Sequence, residues 1–314
     1  MLECEPFAKK AAMKILISGS SGLIGSSLAF ALDTAGHSLN RLVRDRSRAA
    51  AGDVVWNSTA GGLEAAALAP FDAIVHLAGE SIASGRWTSQ KKDRIRRSRV
   101  DSTRALAEAL AQLPPRPRTL VSASAIGIYG NRGDESLDES SSPGDDFLAD
   151  VCGEWEAAAE AAANAGVRVI NPRFGVVLSE QGGALKKMLL PFRLGLGGRI
   201  GSGRQFMSWV ALDDVVGALI HCLNAEALRG PVNVVAPNPV TNFEFTKTLG
   251  RVLSRPTIFP MPAPVARAVF GEMADALLLS SQRVQPARLL GSGYAFSFSK
   301  LWLALRHVLG KSSE

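Results

Sequence analysis

The chain has 314 residues, of which 46% are hydrophobic and 20% are charged, and its formal net charge at pH 7 is +6. This length and composition favour a globular protein with a large core and exclude an intrinsically disordered chain. The sequence has no uncharged apolar run of roughly 18 residues, which argues against a membrane-spanning helix. Residues 1–12 lack the apolar centre and cleavage pattern of a secretory signal, so we expect an N-terminal extension on a cytoplasmic protein.

Apolar runs typical of strands alternate with helical patterns through the first half of the chain. The predicted strands are Lys14–Ser18, Ser38–Arg44, Ala73–Leu77, Thr119–Ser124 and Arg168–Phe174. The predicted helices are Leu23–Ala35, Ser89–Leu113 and Cys152–Ala165. This alternation predicts an α/β fold of Rossmann type, in which a doubly wound parallel sheet is joined by right-handed crossovers.

The pattern changes after Val177. We predict a helix over Ala184–Leu194, a glycine-dense loop over Gly195–Gly203 and a strand over Ser208–Leu212. These are followed by a helix that begins at Asp213 or Asp214, a short strand over Val232–Val235 and a capped helix over Thr241–Leu253. Thr241 or Asn242 would cap the last of these helices. We expect a Rossmann domain over residues 13–225 and a small helical C-terminal domain over residues 256–305 on the substrate side.

The first predicted strand ends in a Gly-x-x-Gly-x-x-Gly turn that opens the first predicted helix. Gly19 can adopt the backbone angles of a tight turn, Gly22 leaves room for phosphates, and Gly25 lets helix and strand pack closely. The free N–H groups of the helix would then face an anion. A strand, a glycine turn and a helix in this order predict a dinucleotide site, which also takes in Ser21.

The end of the second predicted strand bears on the choice of cofactor. In dinucleotide-binding folds an acidic residue there binds the adenosine ribose, whereas an arginine accommodates the 2′-phosphate of NADP. The strand ends in Arg44, whose guanidinium can pair with a phosphate, and Asp45 follows. Arg44 favours NADP over NAD, while Asp45 keeps NAD open.

Two further patterns bear on whether the protein binds nucleic acid or a metal ion. The basic run from Arg86 to Arg104 has no interleaved aromatic residue beyond Trp87, so it favours a solvated helix face over a nucleic-acid surface. The three cysteines and four histidines show no metal-ligand spacing, so we predict no metal and a reducing compartment.

Several motifs resemble those of extended short-chain dehydrogenase/reductases. These are Val75-His76-Leu77-Ala78-Gly79, Val121-Ser122-Ala123-Ser124-Ala125 with Tyr129-Gly130, Asn171–Gly175 and Trp209–Val215. Other segments resemble an atypical subgroup of the NAD-dependent epimerase/dehydratase family, the epimerase family proteins or NADP-dependent oxidoreductases with a small uncharacterised C-terminal domain. They are His76–Ile82, Ser98-Arg99, Leu190–Gly198, Gly201–Gln205 and Phe270–Met273.

The resemblance implies where the cofactor would bind. It places Gly19, Gly22, Leu23 and Ile24 on the pyrophosphate and Val43–Arg44 at the adenosine phosphate. It also places Leu77, Ala78 and Gly79 beside the adenosine ribose and diphosphate. Arg99 would lie near the cofactor, although a helix-surface charge is an equal alternative.

The family's proton-transfer pair is missing from this chain. In the wider superfamily a Tyr transfers the proton, a Lys four residues later lowers the Tyr pKa, and a Ser orients the substrate oxygen. Ser124 occupies the serine position, whereas Leu148 and Cys152 fall on the Tyr and Lys positions. Leu cannot titrate and Cys is not a cation, so ordinary Tyr/Lys chemistry is in doubt.

Other residues are candidates to take over this role. Tyr129 lies on the loop after the predicted strand Thr119–Ser124 and could reach the nicotinamide, or it could pack beneath that loop. Cys152 could be a reactive thiolate at a helix N-terminus or a small buried residue. Ser124 and Tyr129 are therefore the predicted catalytic residues.

Three further assignments concern the rest of the site. Arg204 and Gln205 could bind an anionic or sugar-like substrate or form a hairpin tip. Glu154 and Glu156 are expected in the first turn of a helix, and Asp213–Asp214 is expected to cap one.

The leading hypothesis is an NADP(H)-binding, epimerase-like oxidoreductase for a small carbonyl or sugar-like substrate. The alternative is a cofactor-binding sensor or scaffold without catalysis. We expect a small molecule as partner, neither nucleic acid nor membrane, and leave a homodimer open.

Overall fold

The computed structural model describes residues 12–56, 63–114 and 117–311. The predicted N-terminal extension therefore lies, apart from its last residue, outside the described part of the chain. Among the described residues no helix is both long and apolar enough to cross a membrane.

Strands and helices alternate as predicted through the first half of the chain. The strands, β1 to β14 in chain order, are Lys14–Ser18, Ser38–Val43, Val54–Val55, Ala73–His76, Thr119–Ser122, Ser124–Ala125, Ser136–Leu137, Arg168–Phe174, Val176–Leu178, Phe206–Met207, Trp209–Ala211, Gly230–Val234, Val240–Thr241 and Arg283–Val284. The helices, α1 to α10, are Leu23–Thr34, Ser89–Ala111, Phe147–Ala157, Glu160–Asn164, Gly183–Arg193, Leu212–Asn224, Asn242–Leu253, Ala263–Phe270, Ala287–Gly291 and Leu301–Val308.

The central element is a parallel sheet in the order β12-β8-β5-β4-β1-β2-β3, with β6 also paired to β8. This confirms the predicted Rossmann-type sheet. Its central strands β1, β4 and β5 are buried on both sides because helices cover both faces. Ile15 and Ile17 pack on the side of α1 and α6, while Leu16 packs on the side of α2 and α4.

A further core lies beyond the main sheet. Strands β9 and β11 pair in parallel, and their residue Trp209 is fully buried among side chains of α5, α7 and α10. Residues after 260 also return to earlier parts of the chain, because β14 pairs with β7 and Met261 bridges to Ile200. The C-terminal segment is thus tied to the loops that follow the central strands.

Two element predictions need correction. The helix predicted over Cys152–Ala165 begins at Phe147, because the Asp146 carboxylate accepts the N–H groups of Leu148 and Ala149, each at 2.9 Å. That helix also ends at Ala157, and the shorter α4 follows. The strand predicted over Thr119–Ser124 breaks at Ala123 into β5 and β6.

Candidate cofactor and substrate site

The glycine turn lies between β1 and α1, with β2 and β4 on either side of β1. Gly19 has φ of +70°, and a Cβ at this position would lie 2.8 Å from the carbonyl carbon of Leu77. A Cβ at Gly25 would lie 2.2 Å from the carbonyl oxygen of Gly19. These two glycines therefore let the turn pack against the loop after β4 and against α1.

Gly22 is exposed and is the N-cap of α1. It has no side chain to satisfy the first N–H groups of the helix, and the first turn contains no acidic residue. A Cβ at Gly22 would meet only the carbonyl oxygen of Gly19, at 3.2 Å. The first N–H groups of α1, beginning at Leu23 and Ile24, are open to an anion, and Ser21 beside them is exposed.

A buried histidine holds the ends of β1 and β4 together. His76 Nδ1 lies 2.7 Å from Ser18 Oγ, and His76 Nε2 lies 3.1 Å from Ser102 Oγ. Ser102 donates its proton to the carbonyl of Ser98, so it accepts the Nε2 proton, and Ser18 donates to Nδ1 while it accepts the N–H of Leu77. Burial lowers the pKa of His76 to about 4, so the ring is neutral.

Arg44 and Asp45 follow β2 and differ in what they contact. The Asp45 carboxylate accepts the backbone N–H of Ser47 at 2.9 Å and its hydroxyl at 2.8 Å, and these hydrogen bonds lower the pKa of Asp45. Arg44 is exposed, next to the half-buried Val43. The arginine is open to a ligand, whereas the carboxylate is occupied by its own turn.

Arg99 projects from α2 onto the loop after β4. Its guanidinium carbon lies 3.2 Å from the position of a Cβ on Gly79 and 5.1 Å from the centre of the Trp155 ring. Burial lowers the pKa of Arg99. The structure thus brings Arg99 to the predicted cofactor loop at Leu77, Ala78 and Gly79.

A polar network lies behind the ends of β6 and β8. Ser124 donates its hydroxyl proton to Glu156 Oε1 at 2.6 Å, and Glu156 also accepts Nε and Nη2 of Arg173, each at 2.8 Å. Arg173 Nη1 donates to the hydroxyl of Tyr129, which donates to Asn233 Oδ1, both at 2.8 Å. Ser124 and Tyr129 are therefore joined through one buried ion pair.

Tyr129 is fully buried in this network. Burial raises the pKa of its phenol. This geometry matches the packing alternative for Tyr129. Asn233 and Arg173 were not foreseen as its partners, because Asn233 lies 104 positions later in the chain.

The positions of the missing Tyr and Lys are both apolar. Leu148 packs against Gly127, and Cys152 is buried beside the same glycine. Burial raises the pKa of the Cys152 thiol to about 12. Cys152 is therefore a small buried residue, and its thiol is not activated as a thiolate.

A groove of about 300 Å³ opens between the loops that follow the central strands and the C-terminal segment. The rings of Trp87 and Phe147 meet edge to face in its wall, with centroids 5.4 Å apart. Lys92 on α2 pairs with Glu272 at 2.5 Å, which joins the C-terminal segment to this side of the cleft. The lining residues are Trp87, Asn131, Asp146, Phe147, Arg267, Glu272, Asp275, Ala276 and Leu279.

Several polar residues have other partners than the sequence suggested. Gln205 is buried and donates to the carbonyls of Ile200 and Leu278, whereas Arg204 is exposed. Glu154 and Glu156 lie in the second half of α3, and Glu154 pairs with Arg96 across the surface.

The predicted aspartate cap of α6 was wrong. Asp213 and Asp214 lie in the first turn of this helix and do not form its N-cap, which is Ala211. Asp214 accepts the N–H groups of Ser297 and Phe298 instead, and Asp213 lies 3.2 Å from His307.

Within the described ranges no group of three or more His, Cys, Asp or Glu side chains could hold a metal ion. The open groups at the strand ends are instead backbone N–H groups and arginines. Such groups bind anions.

Comparison with protein families gives two matches. Residues 15–235 match the NAD dependent epimerase/dehydratase family. Residues 261–308 match a domain of unknown function, DUF1731.

Full-length relatives are similar over nearly the whole chain. An epimerase family protein of Mycobacterium bovis, Mb2239, is 45% identical over 294 residues, which cover 94% of this chain and 97% of the relative. The human epimerase family protein SDR39U1 is 39% identical over 300 residues, which cover 95% of this chain and all of the relative (100%).

Solved structures share the fold. The crystal structure of human SDR39U1 (isoform 2) with NADPH has a TM-score of 0.87 at 38% identity and covers 95% of this chain and 99% of that one. A nucleoside-diphosphate sugar epimerase of Corynebacterium glutamicum has a TM-score of 0.80 at 37% identity, and the match covers 96% of this chain but 59% of that longer chain. A UDP-glucose 4-epimerase of Thermus thermophilus with NAD, 20% identical with a TM-score of 0.71, shares the fold alone.

Proposed function

The chain belongs to the NAD-dependent epimerase/dehydratase family, and from this premise we propose that it is an NADP(H)-dependent oxidoreductase or epimerase-like enzyme for a small carbonyl or sugar-like substrate. The observation that carries the proposal is the open N-terminus of α1 at Gly22, with Arg44 at the end of the neighbouring strand, exposed and without an ion-pair partner among the described residues. The NADPH in the human relative's crystal structure supports the same choice of cofactor.

The described residues fit a dinucleotide with a 2′-phosphate. The N–H groups of Leu23 and Ile24, beside Ser21 and Gly22, would hold the pyrophosphate. Arg44 next to Val43 would pair with the 2′-phosphate in forked geometry, and Asp45 does not compete because its carboxylate is bonded to Ser47. The loop formed by Leu77, Ala78 and Gly79 would line the adjoining part of the cleft.

The cofactor supplies hydride transfer when it is bound. Ser124 is the first residue of β6 and pairs with Arg173 near the carboxyl end of β8, at the edge of the sheet where the reacting end of the cofactor is expected. Its hydroxyl is the proposed hydrogen-bond partner of the substrate oxygen. Glu156 holds this hydroxyl, and Arg173 holds Glu156. In this proposal Tyr129 orients Arg173 and does not touch the substrate.

The groove walled by Trp87 and Phe147 is the proposed substrate site. It adjoins the start of α3, and Phe147 precedes Leu148 on that helix. Three of its charged lining residues are held in ion pairs, because Arg267 pairs with Asp275 and Glu272 pairs with Lys92 outside the lining. The two aromatic rings offer an apolar surface against which a sugar or carbonyl compound could pack.

A second candidate function is a cofactor-binding sensor or scaffold. It is favoured by Leu148 and by Cys152, whose buried thiol has a pKa raised to about 12. Neither side chain can exchange a proton with a substrate near neutral pH.

Calorimetric titration with NADPH and NADH tests the cofactor assignment. We expect the protein to bind NADPH more tightly, and Arg44→Ala to weaken NADPH binding by about tenfold or more, because a charge-assisted pair to the 2′-phosphate is lost. NADH lacks this phosphate, so its affinity should change little. Arg104→Ala is the matched control, because it also removes an arginine, but one that pairs with Asp101 on α2. Equal losses for both cofactors would contradict the assignment of Arg44.

Turnover separates the two candidate functions. Oxidation of bound NADPH would be followed by absorbance with a panel of carbonyl compounds and sugar nucleotides. Turnover that falls in Ser124→Ala supports the enzyme. Tight NADPH binding without turnover on a broad panel supports the sensor.

A further inference from the structure

The loop after α5 and the loop after α7 run side by side on the surface of the protein. Arg255 Nε donates to the carbonyl of Arg193 at 2.9 Å, and the N–H of Met261 donates to the carbonyl of Arg199, also at 2.9 Å. These hydrogen bonds hold the two loops together. Side chains from both loops therefore share one continuous surface.

Helix α7 borders the same surface. The lining of a groove of about 260 Å³ includes Phe243 and Lys247 of α7 and Arg199 and Ile258 of the two loops. The Lys247 ammonium lies over the Phe243 ring, 5.5 Å from its centre. Arg251 follows Lys247 at i, i+4 spacing, so it lies on the same face of α7. The groove thus connects this face of α7 with the loops.

Large apolar side chains of this region are exposed to water. Ile258 is 68% exposed, and Leu190 and Leu194, about one helical turn apart, are 67% and 65% exposed. The full set is Leu190, Leu194, Leu196, Phe243, Ile258 and Phe259. Single exposed apolar residues are ordinary on a protein surface, whereas a group of them marks a site of interaction.

Exposed cations lie among these apolar side chains. They are Arg193, Arg199, Lys247, Arg251 and Arg255. Within residues 190–199 and 242–261 the sequence has one acidic residue, Glu244, whose carboxylate accepts the N–H of Thr241 in the cap of α7. Arg193 also lies 3.9 Å from Glu180, a long ion pair. We refer to these apolar and basic side chains as the α5–α7 surface, and its net charge is positive.

The charge of the α5–α7 surface bears on what covers it. In a twofold dimer the same surface of each copy meets the other. The cations of one copy would then face those of its partner with few carboxylates between them, which disfavours a second copy of this chain. Anionic lipid headgroups supply the opposite charge, and the acyl chains beneath them accept apolar side chains at the same time.

We propose that the α5–α7 surface docks on membranes that contain anionic lipids. Leu194, Ile258 and Phe259 enter the boundary between headgroups and acyl chains, while Arg199 and Lys247 bind the lipid phosphates. Such docking needs no membrane-spanning helix. The surface is assembled from separate segments of the chain, so no local sequence pattern predicts it, and the sequence led us to expect no membrane partner.

Flotation of the full-length protein with lipid vesicles tests the proposal. One set of vesicles contains phosphatidylcholine alone, and the other contains phosphatidylcholine and phosphatidylglycerol in equal parts. We expect binding to the second set to be stronger by about tenfold or more, because each surface cation gains from the anionic headgroups. Added salt should release the protein, since it screens this attraction.

Two double variants remove the apolar and the basic contributions separately. Leu194→Ser with Ile258→Ser and Arg199→Gln with Lys247→Gln should each weaken binding to the anionic vesicles by about tenfold or more. All four side chains are exposed, so the melting temperatures should stay near that of wild type.

Matched controls change similar side chains outside the α5–α7 surface. Phe30→Ser replaces a phenylalanine of α1 that is 76% exposed, and Arg97→Gln removes an exposed arginine of α2. Neither should change vesicle binding.

Several results would overturn the proposal. These are no binding to either kind of vesicle, equal binding to both kinds, and double variants that bind like wild type or like the controls. A dimer in analytical ultracentrifugation that dissociates in Leu194→Ser with Ile258→Ser, without vesicle binding by the wild type, would assign the surface to a second copy of the chain.

Discussion

Gly22 and Gly25 belong to one glycine motif but act in different ways. Gly22 has φ of −78° and is exposed, and a Cβ there would approach the carbonyl oxygen of Gly19 at 3.2 Å, so a larger side chain needs a small local shift and enters the proposed pyrophosphate site. Gly25 is buried, and a Cβ there would lie 2.2 Å from the carbonyl oxygen of Gly19. In the proposed site the first position leaves room for the pyrophosphate, whereas the second allows close packing of the backbone.

Valine and alanine substitutions separate these roles. We expect Gly22→Val to abolish NADPH binding in calorimetry while the melting temperature stays near that of wild type. Gly25→Ala should lower the free energy of unfolding by about 1–3 kcal/mol, because the methyl group overlaps backbone atoms. NADPH binding retained by Gly22→Val would show that the pyrophosphate does not lie on this turn.

His76 makes the stability of the protein dependent on pH. Its pKa is about 4 in the folded protein and near 6.5 when exposed, so the unfolded chain binds more protons between these values. The contribution to stability is complete above about pH 6.5 and is lost as the pH falls towards 4. The loss amounts to about 3 kcal/mol for one such group.

Denaturant unfolding of wild type and His76→Gln at several pH values between 7 and 4 measures this contribution. The wild-type free energy of unfolding should fall more steeply with decreasing pH. Other groups, including His221 with its lowered pKa, titrate in both proteins and cancel in the difference. Parallel curves would contradict a neutral, buried His76.

Two glutamates of α3 differ in how they join this helix to its surroundings. Glu156 and Arg173 have side chains that are 15% and 8% exposed, and the pair connects α3 to β8. Glu154 and Arg96 are each 42% exposed. Loss of one partner leaves a buried charge in the first pair but a hydrated charge in the second.

Alanine variants of the two glutamates test this difference. We expect Glu156→Ala to lower the free energy of unfolding by about 3–5 kcal/mol, since Arg173 stays buried without its partner. Glu154→Ala, the matched control two residues away, should cost about 0–1 kcal/mol. Chemical denaturation measures both, and equal costs would show that the Glu156–Arg173 pair does not anchor α3.

The central strands could be predicted from sequence because their signals are local. The run Lys14–Ser18 is apolar on both faces, and the glycine turn that follows needs only neighbouring residues to be recognised. The start of α3 was missed because the Ser- and Pro-rich stretch before it resembles a loop. The capping side chain of Asp146 became evident only in the structure.

The same distinction applies to the site. The proposed cofactor part consists largely of backbone and glycine, so a local motif is sufficient to propose Gly19, Gly22 and Gly25. The network from Ser124 to Asn233 joins residues 32 to 104 positions apart, and no sequence spacing encodes those contacts. The sequence pattern therefore predicts Glu156 in a first helical turn, whereas in the structure its carboxylate accepts the hydroxyl proton of Ser124.

At the scale of the whole molecule, the residues after 260 share a core with the residues before it. Leu301, Ala304 and Leu305 of α10 are buried with Phe245 and Leu249 of α7. Gln205 donates to the carbonyl of Leu278, and β14 pairs with β7. The segment that matches DUF1731 is therefore packed into the chain that matches the epimerase family.

A chain that ends at Pro260 tests whether this packing is essential, and with it the predicted division into residues 13–225 and 256–305. This truncation removes Leu301 and Leu305, so the apolar faces of Phe245 and Leu249 become exposed to water. We expect the truncated chain to lose its sharp thermal transition in circular dichroism and to aggregate. A chain that ends at Lys311 should unfold like the full-length protein, because α10 ends at Val308. A sharp transition near the wild-type temperature in the shorter chain would instead establish residues 13–260 as an independent folding unit.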